Sequence, residues 1–495
     1  MFKRIIENLL MNTYNAARNR HDAHAKRHSS VADCPADHVI LGAPIQTRPG
    51  NHSPQKPVLL SLAERKRHLY ILGATGTGKT NLLLHLLESD IAQNHTCCVL
   101  DLRGDLVDRI LLRIAHANPD PEAWRERLVL IDLRSASHIV GFNPLLGAGE
   151  LHSRAMHLLA VLKKQSESWG VQLEETLRNC LLALAEAGWS LLEIEPLLTN
   201  PGFRAQTLSR VKDPYVRSFF ERYDDLSEDK QKAWQLAVLN KVTPLLAIPV
   251  LRLTFGQRES FDFRDLLDKE SGRIILISLA VDRLHDAAYL AGGLFLSAFQ
   301  TAIMARVDTP EKARIPVHLY VDEFENMASD RFESIVAEGR RFGLGLCLSH
   351  QNLSQVPRRL QEVLLNNVHT QMYFQTGAGD ALLLAREVGE KASEVRSVLT
   401  TQRVGEAFLV RRGEPSLRLR TFPCPDPRVD ADVVRGIQSA SFASYARPYA
   451  ELEREFALRH ARSEAESDAP PAAPVPSYEI RHAKPQGQYR PKRPK

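Results

Sequence analysis

The sequence predicts an α/β fold, a largely parallel sheet covered on both faces by helices, with an all-α domain inserted between its strands. Three observations predict it. A glycine loop, Gly73 to Thr80, lies between an apolar strand and a helix-period stretch. Short apolar runs then alternate with helical stretches along most of the chain, the mark of strands buried on both faces. From about 149 to 262 the strand runs stop, and apolar residues recur at helical spacing, as in Leu173, Leu177, Cys180, Leu181 and Leu184.

Taken in order, residues 1–37 are polar, His-rich and basic, and are expected to form a mobile arm or a short amphipathic helix. The first part of the sheet domain covers 38–148. It holds the apolar runs HVIL and PVLL, the strand His68 to Leu72, the glycine loop, a helix from Asn81 to Ala92, and strands at Cys97 to Leu100 and Leu128 to Ile131. The all-α insertion covers 149–262. The second part of the sheet domain, 263–428, adds strands at Ile274 to Leu279, Val317 to Val321, Leu344 to Leu348, Met372 to Phe374, Glu406 to Val410 and the alternating Leu417 to Phe422. Residues 429–463 are read as a C-terminal helical segment, with a charged helix from about Tyr445 to Ala461. Beyond it, 464–495 is rich in Ala, Pro, Ser and basic residues, with too few apolar groups to offset ordering entropy, so disorder is expected.

Composition narrows the setting. The net charge of +5 is carried by the end of the chain, since Arg481 to Lys495 holds six Lys/Arg and no acid, and the remainder sums to about −1. The body is not globally basic. The six cysteines form no CxxC pair and no metal-ligand spacing, which points to a reduced, cytoplasmic chain. Glu7, Asn8, Asn12 and Asn15 interrupt the basic, apolar start, so no signal-peptide core forms. The apolar stretch Ala291 to Ala305 falls short of the roughly 18 residues that span a bilayer, and no transmembrane segment is expected.

The chemistry is concentrated in a few motifs. Gly73, Ala74, Thr75, Gly76, Thr77, Gly78, Lys79 and Thr80 match G-x-x-x-x-G-K-[ST] in the strand–loop–helix setting the pattern requires. Such a loop turns backbone N–H groups around a β-phosphate, and the helix start after it adds partial positive charge. Lys79 is assigned to the β- and γ-phosphates and Thr80 to Mg²⁺, with Asn81 completing the nucleotide-binding set. The strand Val317 to Val321 ends in Asp322 and Glu323, read as the Mg²⁺-shell carboxylate and the base that polarises the attacking water. A strand ending in two acids is ordinary by itself, and the upstream P-loop gives this one its meaning. Gln351 ends the strand after it, where a side chain can sense the γ-phosphate or orient water. Arg340 and Arg341 close a helix candidate and carry two readings, an arginine finger for a neighbouring subunit or ordinary complements to a helix dipole.

Taken together these segments resemble the HerA and FtsK group of DNA-pumping P-loop ATPases, most closely the coupling proteins of conjugative type IV secretion, of the TraG and TraD kind. The resemblance covers about residues 38 to 425. It rests on RHLYILGATGTGKTNLL, the loop Asp101 to Leu106, GFNPL at 141–145, Trp169-Gly170, FGQ at 255–257, HLYVDEFENMAS, EGRRFGLGLCLSHQNLSQV and Gly379-Asp380-Ala381, in that order. It implies a RecA-like sheet, ATP and Mg²⁺ as ligands, DNA as the partner, a ring of six, and contact with relaxosome or secretion components at the inner membrane. The implied activity is ATP-driven DNA translocation. A nucleotide-gated scaffold that recruits a relaxase or secreted protein, and a viral DNA-packaging motor, are the alternatives.

Overall fold

The computed structural model describes residues 37–45, 56–166, 168–269, 272–327, 332–389 and 391–465. The arm at 1–36 and the basic tail from 466 lie outside the described residues. The strands among the described residues are β1 (His38–Pro44), β2 (Val58–Ser61), β3 (Leu69–Leu72), β4 (Thr96–Asp101), β5 (Leu128–Asp132), β6 (His138–Val140), β7 (Ile274–Ser278), β8 (Val317–Asp322), β9 (Leu344–His350), β10 (Thr370–Tyr373), β11 (Glu406–Arg411), β12 (Leu417–Arg420) and β13 (Ala446–Pro448). Eleven of them form one sheet in the order β2-β1-β12-β11-β10-β3-β9-β8-β4-β7-β5, while β6 pairs separately with β13.

From β10 through β5 every pairing is parallel, and from β10 to β2 every pairing is antiparallel. The parallel strands are buried along their length, as β4, β7 and β9 show, because helices cover both faces. Alternate residues of β3 divide between two cores: Tyr70 and Leu72 enter one, Leu69 and Ile71 the other. The helices Lys79–Ala92, Asp105–Ala117 and Ala431–Tyr445 pack into the second, and Leu151–Lys164, Val171–Ala187 and Asp286–Met304 into the first.

Between β6 and β7 the described residues hold helices and no strand, and their apolar faces are continuous with the first core. Two expectations are corrected. The C-terminal segment does not start its helix at Tyr445. A helix capped by Asp430 runs Ala431–Tyr445 and docks on β5, where Ser441 Oγ bonds Leu128 O and Leu130 N, and a second helix, Tyr449–Ala465, begins only after β13. The apolar stretch at 291–305 is part of a longer helical run, Asp286–Asp308, which is long and apolar enough to cross a membrane. Of its apolar 18-residue window 83% is buried inside the protein, as in a core helix.

Candidate active site

The phosphate loop joins β3 to the helix Lys79–Ala92 and depends on its glycines. Gly76 and Gly78 have φ of +77° and +118°, a region that disfavours side chains, and a Cβ on Gly73 would lie 2.5 Å from that of Phe374. Gly78 caps the helix without a side chain, which leaves the first N–H groups free to meet an anion. Lys79 folds back over the loop, donating to Gly73 O at 2.6 Å and Ala74 O at 3.1 Å, and Thr77 Oγ1 donates to Ala74 O at 2.8 Å. Burial pulls the Lys79 ammonium down from its usual range, while Asp322, Glu323 and Glu325 act to hold it up.

The sheet order assembles the rest. One strand, β9, separates the loop strand β3 from the acid strand β8. Leu72 stands level with His350, and Ser349 with Asp322, so the C-terminal ends of all three strands meet at one edge. Asp322 accepts hydrogen bonds from Ser349 Oγ and, at 3.1 Å, from Glu323 N. Burial pushes Asp322 up to about 6, and the charges of Glu323 and Asp101 add to the rise against Ser349 and Lys79. Glu323 itself is left-handed (φ 53°, ψ 45°), a conformation that costs a non-glycine residue about 1 kcal/mol and turns the chain out of the strand.

Gln351 follows β9 and bridges the two sides. Its Nε2 donates to Glu323 Oε1 at 2.6 Å, and its Oε1 accepts from Thr75 Oγ1 at 2.8 Å. The phosphate loop, Asp322, Glu323 and Gln351 are thus brought to one edge. Arg340 and Arg341 are not. They are exposed on the short turn Gly339–Phe342 before β9, one strand length of about 20 Å from Gln351. Asn81 has its side chain committed elsewhere: Nδ2 donates to Phe422 O at 2.7 Å and Oδ1 accepts from Cys424 N at 2.9 Å, strapping the segment after β12 to the helix start.

Over residues 57–406 the chain matches the type IV secretion-system coupling protein DNA-binding domain. It belongs to that family. The fold agrees with three solved structures. The bacterial conjugative coupling protein TrwBdeltaN70, unbound, is 16% identical with a TM-score of 0.53, covering 79% of this chain and 96% of that one. Plasmid coupling protein TrwB in complex with ADP and Mg²⁺ is 15% identical with a TM-score of 0.55, covering 81% and 98%. VirB4 of Thermoanaerobacter pseudethanolicus is 14% identical with a TM-score of 0.52, covering 80% and 99%. No curated protein matches the chain.

In this coupling-protein fold a buried ionic cluster, absent from the sequence reading, ties the phosphate-loop helix to the acid strand. Arg65 donates to both oxygens of Asp90 at 2.6 and 2.8 Å, Tyr320 Oη donates to Asp90 at 2.6 Å, and His318 Nδ1 lies 3.1 Å away. Burial holds His318 down to about 4, and the Arg65 charge adds to this, so the imidazole stays neutral against the pull of Asp90. A signal existed: Asp90 falls on the Leu83, Leu87, Ile91 stripe of its helix, where an unpaired charge is costly. Asp101, the last residue of β4, also gains a structural role, accepting from Val107 N at 2.9 Å and Arg103 N at 3.1 Å at the head of the helix Asp105–Ala117.

Proposed function

We propose that this chain is an ATP-dependent DNA translocase of the conjugative type IV secretion coupling kind, working as a ring of six on the cytoplasmic side of the membrane with relaxosome or secretion components as partners. The observation that carries it is the Thr75–Gln351–Glu323 chain, which links the loop for the phosphates to the carboxylate for the water. The residues fit the ligands. Backbone N–H groups at the glycine loop and Lys79 suit a polyphosphate, and Thr80 with Asp322 suits a divalent cation. Mg²⁺ held by Thr80 and Asp322 would neutralise charge on the β- and γ-phosphates.

In this reading Glu323 takes a proton from the attacking water, Gln351 orients Glu323, and Lys79 steadies the γ-phosphoryl group as it transfers. Arg340 or Arg341 serves the site of the next subunit, a placement supported by their exposure and their distance from their own. The five described cysteines are free and buried, which supports a reducing compartment. The TrwB complex with ADP and Mg²⁺ supports the choice of ligands. Hydrolysis measured with and without single- and double-stranded DNA tests the proposal. Stimulation by either DNA is expected, and equal rates in all three samples would favour a scaffold that hydrolyses ATP only to time assembly.

A further inference from the structure

The turn Phe324–Asn326 after the acid pair carries another carboxylate, Glu325. It is 8% exposed, and its Oε2 has no hydrogen-bond partner among the described residues. The turn is held from three directions. Phe324 is fully buried and meets the His350 ring at 5.3 Å, edge to face. Lys164, at the end of the helix Leu151–Lys164, donates to the Glu325 carbonyl at 3.2 Å. Met327 fills the notch at Gly292, where a Cβ would stand 2.4 Å from its Sδ. Glu325 is therefore fixed beside the hydrolytic edge.

A buried carboxylate oxygen without a donor is unfavourable, and ordered water is the usual remedy where protein supplies none. The charged and titratable groups that act on Glu325 are Glu323 and Asp322 from the end of β8, Lys79 from the head of its helix, Tyr70 from β3, and Tyr289 from the helix Asp286–Met304, and Lys164 and His350 of β9 face the same turn. Burial, reinforced by the Glu323 and Asp322 charges, pushes Glu325 up to about 7. A carboxyl in that range exchanges protons readily at neutral pH.

We propose that Glu325 is a positioning residue for hydrolysis: its open oxygen holds a second water against Glu323 and receives the proton that Glu323 takes from the attacking water. The inference rests on the ATPase reading above. The attacking water gives one proton to the Glu323 carboxylate as its oxygen bonds to the γ-phosphorus. The bond from that phosphorus to the bridging oxygen breaks, and its electron pair leaves with ADP. The proton then passes through the second water to the Glu325 carboxylate, which returns Glu323 to its charged form. Glu325 gives it back through that water, and it leaves with the departing phosphate.

The test is steady-state ATP hydrolysis by the full chain from about pH 6 to 9, for wild type, Glu325→Gln, Glu325→Ala and Glu325→Asp, with ADP·Mg²⁺ affinity measured alongside. Wild-type kcat should climb through about pH 7, because a proton acceptor must be ionised. Glu325→Gln and Glu325→Ala should lower kcat about tenfold at pH 8 and lose the climb, with KM and ADP affinity within about twofold. Glu325→Asp should recover part of kcat over Glu325→Ala, and Glu325→Gln, which keeps the shape, guards against loss of the fold. The inference is overturned if Glu325→Gln keeps kcat within about twofold, if kcat loss is matched by loss of ADP affinity, or if Asp is no better than Ala. A wild-type chain that hydrolyses nothing would instead sink the ATPase reading itself.

Discussion

Gln351 donates a 2.6 Å hydrogen bond to Glu323 while accepting one of 2.8 Å from Thr75, so a single amide connects the phosphate loop to the carboxylate that follows the acid strand. Replacement by Ala removes both bonds and leaves Glu323 without its orienting partner. Gln351→Ala should lower kcat by about 10² with nucleotide affinity within about threefold, because the lost contact acts on the water and not on the phosphates. Steady-state kinetics paired with nucleotide titration checks this, and an unchanged kcat would contradict it.

The Arg65–Asp90 pair predicts a stability effect far from the chemistry. Asp90→Ala leaves a guanidinium that is 7% exposed without its carboxylate, and breaking such a buried pair costs about 3–5 kcal/mol. Replacing both partners, Arg65→Met with Asp90→Leu, should recover most of the loss because no uncompensated charge remains. Urea midpoints for the single and double variants decide it, and a double variant no better than Asp90→Ala would show that the pairing is not the cause.

The exposed pair Arg340 and Arg341 predicts a mixing effect. If either completes a neighbour's site, wild type mixed with Arg340→Ala or with Arg341→Ala should lose more activity than dilution predicts, because each variant subunit spoils a wild-type site. Strictly proportional loss for both would remove these arginines from the mechanism.

Legibility in the sequence followed the range of the interaction. The phosphate loop, its flanking strand and helix, and the acid-ended strand are local patterns, readable from glycine spacing and period. Strand order is not local, so the placement of β9 between β3 and β8 was invisible, and with it the Ser349–Asp322 and Gln351–Glu323 contacts. The segment 429–463 was read as helical, but its first helix, Ala431–Tyr445, was not told apart from the second because its buried positions include Ala440 and Ser441, small residues that give a weak apolar stripe. The core helix was read short because its first turn, with Asp286 and the small buried residues Ala287 and Ala288, adds length without a strong hydropathy signal. The strap held by Asn81 had no sequence signal, since its partners lie more than 340 residues away and use backbone atoms.

The central claim is that ATP turnover at this site moves DNA, and displacement of the third strand from a DNA triplex in the presence of ATP measures it most directly. The account predicts ATP-dependent displacement by wild type, with none from Glu323→Gln, which should bind ATP without cleaving it, or from Lys79→Ala, which should not bind it. Robust DNA-stimulated hydrolysis with no displacement by wild type would contradict translocation and leave a nucleotide-gated scaffold in its place.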